Sequence, residues 1–311
     1  MTTRISNLAS SKLILSAIAQ TQGRMNESQI KLTTGFKAQN YAGLASDAHK
    51  LVTVEASRRR VDQFLDEAAN LKLRMDTTLN SIDALKKTLD DTQKLVKDVL
   101  DDGQLPNGID KDSFADVKIS EIEDFLNVRI AGRFMFAGSM TDTKPVEPGD
   151  MTSAPTYDAS FNTVSEPSFY YQGDDTKLKA RLDEGVEIQY GITADNPAFE
   201  KLVRAVRIIR STPSNDANIQ AKYQEAADLL DQAQTGLEGL ELNVGTKLEQ
   251  LVSTGKTLNT TKNFLNGSVS DIETADPAQT SAELLNDQNM LEASYNILVR
   301  LSNLSLTKYL N

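Results

Sequence analysis

The chain has 311 residues, a formal net charge of −11, no cysteine and no tryptophan. The acidic balance argues against nucleic acid or anionic lipid as a partner, because both need clustered Lys and Arg. Without cysteine there are no disulfides and no thiolate metal sites. A composition of 39% hydrophobic but only 6% aromatic residues is typical of long helices packed by aliphatic stripes.

The amino-terminal segment is predicted to be an amphipathic helix that ends at Gly35. Its apolar residues share one helical face: Leu8, Leu15, Ile18, Met25 and Leu32. This helix and a similar one at the carboxyl end can cover only one seam of each other. Four apolar residues are therefore expected to face outward: Ile5, Ile14, Ile297 and Leu304. The sequence Ala17-Ile18-Ala19 imitates a signal-peptide cleavage site, but the helical pattern continues through it, so we expect no cleaved signal peptide. No stretch approaches the roughly 20 apolar residues of a membrane helix.

A heptad pattern between residues 54 and 99 predicts one long helix packed against partner helices. One series of residues recurs every seven positions: Val54, Val61, Ala68, Met75, Ile82, Leu89 and Val96. A second series interleaves with it: Ser57, Phe64, Leu71, Thr78, Leu85, Thr92 and Val99. Gly103, Pro106 and Gly108 then break the helix. A shorter apolar stripe predicts an antiparallel helical return: Ile119, Ile122, Leu126 and Ile130.

Helical periodicity disappears between residues 139 and 193, where four of the eight Pro and four of the eight Tyr occur. The sequence "LKARLDEGVEIQYGI", residues 178–192, predicts a β-hairpin because apolar residues alternate on both sides of Gly185. Gly185 is expected to take a positive φ in the connecting turn. We therefore predict a small inserted β domain.

Helical patterns return in the last third of the chain. A short stripe spans residues 199–209 and a long heptad run spans residues 223–265, which is a natural antiparallel partner for residues 54–99. Asp276-Pro277 interrupts the run. A second amphipathic terminal helix follows, and its apolar face comprises Leu284, Leu291, Tyr295, Leu298 and Leu301.

The predicted fold class is mainly α with a β insertion. Long antiparallel heptad-patterned helices carry a small inserted β domain and two terminal amphipathic helices. The predicted divisions are an amino-terminal assembly helix (1–45), the two halves of a helical rod (46–138 and 196–275), the inserted β domain (139–195) and a carboxyl-terminal assembly helix (276–311).

The segment "AGRFMFAGSMTDTKPV", residues 131–146, is predicted to be the junction between helices and insertion. Phe134 and Phe136 are expected to pack there, Gly132 and Gly138 to allow a close bend, and residues 141–148 to form a hinge. A phosphate-binding loop would need Lys-Ser/Thr after the second glycine and a following helix, and both are missing.

Four motifs carry a resemblance to a known family. Leu32-Thr33-Thr34-Gly35 resembles the turn after the first helix of flagellins, and "NMLEASYNILVRLSNLSLTKYL" is similar to the carboxyl end of the hook-filament junction proteins. Residues 132–145, together with "YQGDD" at 171–175, resemble the hook-filament junction proteins among the flagellar hook-associated proteins. The resemblance spans essentially the whole chain and implies a flagellin-like fold.

The resemblance also implies a function and partners. It implies a structural, non-enzymatic adaptor that forms a homo-oligomeric layer through its paired terminal helices. The neighbours would be another hook-associated protein and flagellin, and a cytoplasmic chaperone would hold the carboxyl end before export. The implied location is the extracellular flagellum. Neither nucleic acid binding nor membrane insertion is expected.

Catalytic, cofactor and metal sites are not expected from the residues. His49 is the only histidine, so no His-containing catalytic pair or two-His metal site can be built. Acidic pairs such as Asp90-Asp91 are typical of a solvated face, although a two-carboxylate hydrolase in the insertion stays open. A filament flagellin and a secreted coiled-coil adhesin or ligand-binding protein also stay open as functions of the whole chain.

Overall fold

The computed structural model describes residues 2–147 and 170–307, and it describes side chains from 12 to 147 and from 170 to 300. Over these ranges the helices are α1 (Thr2–Thr34), α2 (Asp47–Asp102), α3 (Lys111–Leu126), α4 (Pro197–Ser211), α5 (Ile219–Glu273) and α6 (Pro277–Thr307). The strands are β1 (Arg129–Ile130), β2 (Arg133–Phe134), β3 (Lys179–Asp183) and β4 (Val186–Gln189). The predicted fold class, mainly α with a β insertion, is confirmed.

The chain divides into two compact units. The central unit is Val61–Thr260. The terminal unit combines Met1–Arg60 with Thr261–Asn311. The long helices α2 and α5 contribute residues to both units.

In the central unit, α2 and α5 run antiparallel. Lys86 Nζ lies 2.7 Å from Glu241 Oε2, and Gln93 Nε2 donates to Asp231 Oδ1 at 3.0 Å, so residue numbers rise along α2 as they fall along α5. The return helix α3 is also antiparallel to α2, since Lys118 Nζ lies 3.1 Å from Asp91 Oδ2 and Thr88 Oγ1 donates to Glu121 Oε2 at 3.0 Å. The predicted pairing of the two long heptad runs is therefore confirmed.

The core of the central unit is continuous and closed. Members of both heptad series of α2 are almost fully buried, together with residues of α3, α4 and α5: Met75, Ile82, Leu85, Leu89, Val99, Ile122, Phe199, Leu202, Leu230 and Leu237. Full burial of one such aliphatic side chain contributes about 1.5–3 kcal/mol. The heptad spacing is thus explained by the burial of one face of each helix.

The return helix is shorter than its apolar stripe predicted. It ends at Leu126, and Ile130 lies in β1 rather than on the helix. Asn127 caps the helix: its backbone N–H donates to Glu123 O, and its side-chain amide bonds to the backbone of Val146, so the helix does not continue. The apolar character of Ile130 therefore belongs to a strand that the helical spacing did not reveal.

A two-residue hairpin that was not predicted follows that helix. Strands β1 and β2 pair antiparallel, Arg129 with Phe134 and Ile130 with Arg133. The turn residues Ala131 and Gly132 both have positive φ, 49° and 81°, as the tightest hairpin turns require. The Arg129 guanidinium lies 4.6 Å from the centre of the Phe134 ring, and its Nη2 donates to Gly132 O at 2.7 Å.

The predicted hairpin of the insertion is confirmed, but the role predicted for its glycine is wrong. Strands β3 and β4 pair antiparallel, Ala180 with Ile188 and Lys179 with Gln189. Gly185 is not among the residues with positive φ. The register shifts between Arg181 and Asp183, so an irregularity in β3 helps to reverse the chain.

Within residues 2–147 and 170–307, none of the helices combines the length and apolar character that crossing a membrane requires.

Candidate assembly surface and insertion junction

Local backbone contacts fix where the terminal helices α1 and α6 end and begin. Gly35 follows α1 with a φ of 76°, and its N–H bonds to Lys31 O at 2.8 Å. Asp276 precedes α6 and accepts from Ala278 N at 2.8 Å, while Pro277 occupies the first helical position. Ala275 N donates to Gly35 O at 2.8 Å, which ties the two helix ends together.

The two terminal helices pack against each other along a seam of unusual composition. The buried residues of the seam are spaced by three or seven positions: Ile18, Thr21 and Ser28 on α1, and Thr280 and Asp287 on α6. The larger apolar residues at the other seam positions are only half-buried: Ile14, Met25, Leu32, Leu284, Leu291 and Leu298. The seam therefore follows coiled-coil spacing but encloses mainly small and polar groups.

An ion pair lies in this seam. Arg24 Nη2 lies 2.8 Å from Asp287 Oδ1, and Arg24 Nε donates to the same oxygen at 3.2 Å. Nη2 also donates to Thr21 Oγ1 at 3.2 Å, and Thr21 donates its own hydroxyl proton to Ala17 O. Asp287 is buried, 7% exposed, whereas half of the Arg24 side chain is exposed. The hydrogen bond from Arg24 to Asp287 raises the pKa of the guanidinium.

Large apolar side chains on the same helices remain open to solvent. Leu13 of α1 is 72% exposed and Leu285 of α6 is 61% exposed. Others of this kind on the two helices are Leu15, Ile30, Met290, Tyr295, Ile297 and Val299. Exposed apolar residues in this number mark a surface that another molecule can cover.

The predicted subunit-contact residues occupy three kinds of position. Ile18 is buried; Met25, Leu32, Leu284, Leu291 and Leu298 are half-buried; Leu15 and Tyr295 are exposed. The Tyr295 hydroxyl accepts from Gln22 Nε2 at 2.9 Å. The side chains of Leu8 and Leu301 lie outside the described residues.

The predicted helical face of α1 needs one correction. Leu15 does not share the buried face of Ile18 and Met25, and Ile14, expected to point outward, is half-buried. Coiled-coil spacing explains the exchange, because four residues before Ile18 is position 14. Leu15 lies one residue, about 100° of helical rotation, to the side.

The polar members of the seam were not predicted, because the amphipathic stripes were defined by apolar residues only. Thr21 and Ser28 are seven apart, and Asp287 lies three after Leu284 and four before Leu291. The same three-and-four spacing that selected the leucines contains these residues. Polar residues at seam positions are therefore the sequence signal that identifies them.

A small apolar cluster in the terminal unit joins the beginning of α2 to the end of α5. Leu51 of α2 packs with Val269 and Ile272 of α5, and Leu44 and Val54 are partly buried against them. Leu44 ends a 3₁₀ turn that begins at Tyr41, and the Asn40 side chain caps this turn by accepting from Gly43 N. This link is thus a defined turn between α1 and α2.

The insertion junction is built around Phe136 and Gly138. Phe136 is fully buried, and its ring meets that of Phe199 edge-on at 5.9 Å. Gly138 is buried with a φ of 68°, and a Cβ at this position would lie 2.1 Å from Asp174 Oδ1. Phe134 is also buried, whereas Gly132 is exposed in its hairpin turn. The four predicted junction residues therefore lie in one folded segment.

The Asp174 carboxylate bonds to both segments of the junction, the one before the insertion and the one after it. It accepts from Ser139 N at 2.6 Å, from the Ser139 hydroxyl and from Thr176 N at 3.2 Å. These bonds, the Ser139 hydroxyl foremost, lower the pKa of Asp174. Tyr171 donates its hydroxyl to Asp174 O at 2.6 Å. Asp174 thus helps to join the segment that enters the insertion to the segment that leaves it.

The prediction of a hinge at residues 141–148 is wrong for its described part. Val146 is fully buried, its N–H bonds to Asn127 Oδ1 at 3.0 Å, and its carbonyl accepts from Asn127 Nδ2 at 2.8 Å. Gln172 N donates to Pro145 O at 3.0 Å, and Lys144 Nζ lies 2.9 Å from Glu123 Oε1. A segment bonded on both sides does not bend freely. Pro148 lies outside the described residues.

Ionisable groups with shifted pKa values lie near this junction, but their contacts are structural. Burial raises the pKa of Glu200, although Arg204 Nη2 lies 2.6 Å from its Oε1. Burial lowers the pKa of Arg207 to about 10 and raises that of Tyr170, whose hydroxyl donates to Ala194 O at 3.0 Å. Among the described side chains, no group of three or more His, Cys, Asp or Glu residues could hold a metal ion.

Comparisons with known proteins agree with this architecture. Residues 227–310 match the family model of the bacterial flagellin C-terminal helical region. A solved structure described as a putative flagellar hook-associated protein from Vibrio parahaemolyticus is 15% identical, with a TM-score of 0.56 over 73% of this chain and 97% of that chain. FlgL of Bacillus cereus is 16% identical, with a TM-score of 0.47 over 72% of this chain and 99% of that chain. No curated protein matches the sequence.

The family match begins within α5 and includes all of α6 that the structure describes. The helix that carries Asp287 and the exposed Leu285 is thus the one matched by sequence. The predicted resemblance is confirmed in fold and in the carboxyl-terminal region: the chain shares its fold with the structure described as a putative flagellar hook-associated protein, and residues 227–310 match the flagellin C-terminal model.

Proposed function

We propose that the protein is a structural component of the bacterial flagellum and that it joins hook to filament as a homo-oligomeric layer. The observation that carries this proposal is the open apolar surface of α1 and α6. A two-helix seam leaves Leu13 and Leu285 mostly exposed, and copies of the same helices can bury such residues in an assembly. The flagellin match at residues 227–310 falls on the same region.

The same proposal assigns the subunit contacts. They would be made by the terminal residues identified from the sequence: Leu8, Leu15, Ile18, Met25, Leu32, Leu284, Leu291, Tyr295, Leu298 and Leu301. Exposed Leu15 and Tyr295 would meet a neighbouring copy directly. Half-buried Leu284 and Leu291 would lose their remaining exposure when a neighbour packs across the seam.

Location and partners follow from the flagellar role. The protein would leave the cell through the flagellar export channel, with a cytoplasmic chaperone on its carboxyl end. It would then lie between another hook-associated protein and flagellin. Export without a cleaved signal peptide belongs to the same proposal. The role requires no cofactor, metal or catalytic group.

Substitution of exposed residues tests the assembly surface. Leu285→Ser combined with Ile297→Ser should leave the helical circular dichroism unchanged and should abolish higher oligomers in analytical ultracentrifugation. Leu73→Ser combined with Leu242→Ser is the matched control, because these two leucines are similarly exposed but lie in the central unit. Equal loss of assembly in both pairs, or in neither, would contradict the proposal.

The alternative function, a filament flagellin, differs in its mode of polymerisation. Purified junction protein should stop at limited assemblies, whereas a flagellin should grow long filaments by itself under the electron microscope. In cells, a strain without this gene should keep its hooks and shed filament subunits into the medium. Shedding with intact hooks supports the junction; hooks that still hold filaments would overturn it.

A further inference from the structure

Asp287 is placed where an ionised carboxylate is costly. It occupies a seam position of α6, 7% exposed, and Arg24 of α1 directs two guanidinium nitrogens at one of its oxygens. Arg24 itself is half exposed, so the pair is buried on the carboxylate side only. Removing the cation would leave the buried Asp287 charge uncompensated, which is destabilising. The seam of α6 therefore favours a partner helix that supplies a cation at this level.

Helix α6 cannot supply that cation to a second α6 that lies parallel and in register. Between residues 277 and 307 its only basic residue is Arg300, thirteen positions or about 20 Å of helix from Asp287. In such a parallel α6–α6 pair, each Asp287 would be buried without a cation. In α1, by contrast, Thr21 accepts a hydrogen bond from Arg24 and thereby helps to position its guanidinium.

We propose that the Arg24–Asp287 pair decides the pairing of the terminal helices, so that each α6 accepts an α1 and rejects another α6. In the assembly that the proposed function describes, many copies of two similar amphipathic helices lie close together, and apolar seams alone do not distinguish between them. A buried polar group at one seam position is an established means of fixing coiled-coil partners. The pairing rule itself does not depend on the flagellar role.

A charge exchange between chains tests this rule on the full-length protein. One chain carries Arg24→Asp and the other Asp287→Arg. Each alone brings like charges together in its own seam, so α1 and α6 should lose amide protection while the central unit keeps it. When the two are mixed, each α1 finds a complementary α6 on the other chain. The fraction of dimer in sedimentation should then exceed the dimer fraction of either variant alone by about tenfold or more.

Cysteines report which helices pair, since the natural chain has none. Met25→Cys and Leu284→Cys in one otherwise native chain should form an intramolecular disulfide, which calibrates the geometry. With Met25→Cys on the Arg24→Asp chain and Leu284→Cys on the Asp287→Arg chain, oxidation should link the two chains. Leu284→Cys on a chain that carries only Arg24→Asp should yield no α6–α6 dimer above the native background.

Two further variants separate pairing choice from general charge effects. Arg24→Asp with Asp287→Arg in one chain restores opposite charges and should return the monomer and its amide protection. Lys12→Asp and Glu292→Arg change exposed charges on the same two helices and should produce no exchange when mixed. The proposal is overturned if the mixed chains stay monomeric or if the double variant fails to recover amide protection. It is also overturned if the variants with changed exposed charges exchange helices between chains equally well.

The experiment also separates this rule from the proposed function. Exchange of helices without any assembly would support the pairing rule and contradict the assembly role. Assembly that proceeds unchanged in both single variants would contradict the pairing rule and leave the assembly role standing.

Discussion

The central and terminal units use the same heptad spacing but build different interiors. In the central unit, four helices enclose one cluster in which Ile82, Leu85 and Leu89 are fully buried. In the terminal unit, α1 and α6 bury Thr21, Ser28 and Asp287, whereas the leucines at their seam positions are only half-buried. Periodicity therefore sets which face of a helix meets a partner, while the number of partners decides whether that face is sealed.

The largest difference should come from truncating one sealed side chain. Leu89→Ala in α2 removes a fully buried leucine, and in a core closed on all sides this should lower the free energy of unfolding by about 3 kcal/mol. Urea unfolding followed by circular dichroism measures it. Leu73→Ala, in the same helix but mostly exposed, should change that free energy by less than about 0.5 kcal/mol. Similar losses in the two variants would contradict a sealed core.

A slightly smaller effect should come from the insertion junction of the central unit. Gly138→Ala places a Cβ against Asp174 on a left-handed backbone, so it should lower the free energy of unfolding by about 2 kcal/mol. Gly185→Ala is the matched control, because its φ is not positive and no atom lies within 4 Å of the added Cβ. Thermal unfolding compares the two. A Gly185→Ala variant as unstable as Gly138→Ala would show that the junction contact is unimportant.

Much of the central unit was predictable because its signals are local and periodic. The spacing of Met75, Ile82 and Leu89 identified the buried face of α2, and the alternation around Leu182 and Ile188 identified a hairpin. The turn at Ala131-Gly132 was not predictable, because an alanine with positive φ is held there by the pairing of β1 with β2. Such pairing is a tertiary property that spacing does not contain.

The apolar residues of the candidate assembly surface were predicted from the sequence, whereas its ion pair was not. The leucines of α1 and α6 identified two helices that pack against each other, yet the partner of Asp287 lies 263 positions away at Arg24. Neither residue is unusual alone. Their meeting depends on how α1 packs against α6, and the wrong prediction of a hinge at Val146 arose similarly from a distant partner, Asn127.

Acidification should lower the stability of the central unit through protonation of Asp174. Its pKa is lowered in the folded state by the Ser139 hydroxyl, so the stability it contributes is present above its unfolded pKa of about 3.9 and is lost as pH falls towards the folded pKa. Asp174→Asn should therefore be less stable at neutral pH and lose less on going to acid. Thermal unfolding of both proteins at several pH values tests this; equal acid sensitivity would contradict the role of Asp174.

The smallest effect on the single chain should come from the terminal seam. Leu291→Ala removes the same atoms as Leu89→Ala, but the leucine is only half-buried, so the free energy of unfolding should fall by about 1 kcal/mol or less. If neighbouring copies complete the seam, the same variant should weaken assembly clearly, measured by the protein concentration at which oligomers form in ultracentrifugation. A loss near that of Leu89→Ala in the monomer would mean that α1 and α6 already seal this residue. The ratio of monomer loss to assembly loss therefore measures how much of the terminal interior belongs to one chain and how much to its neighbours.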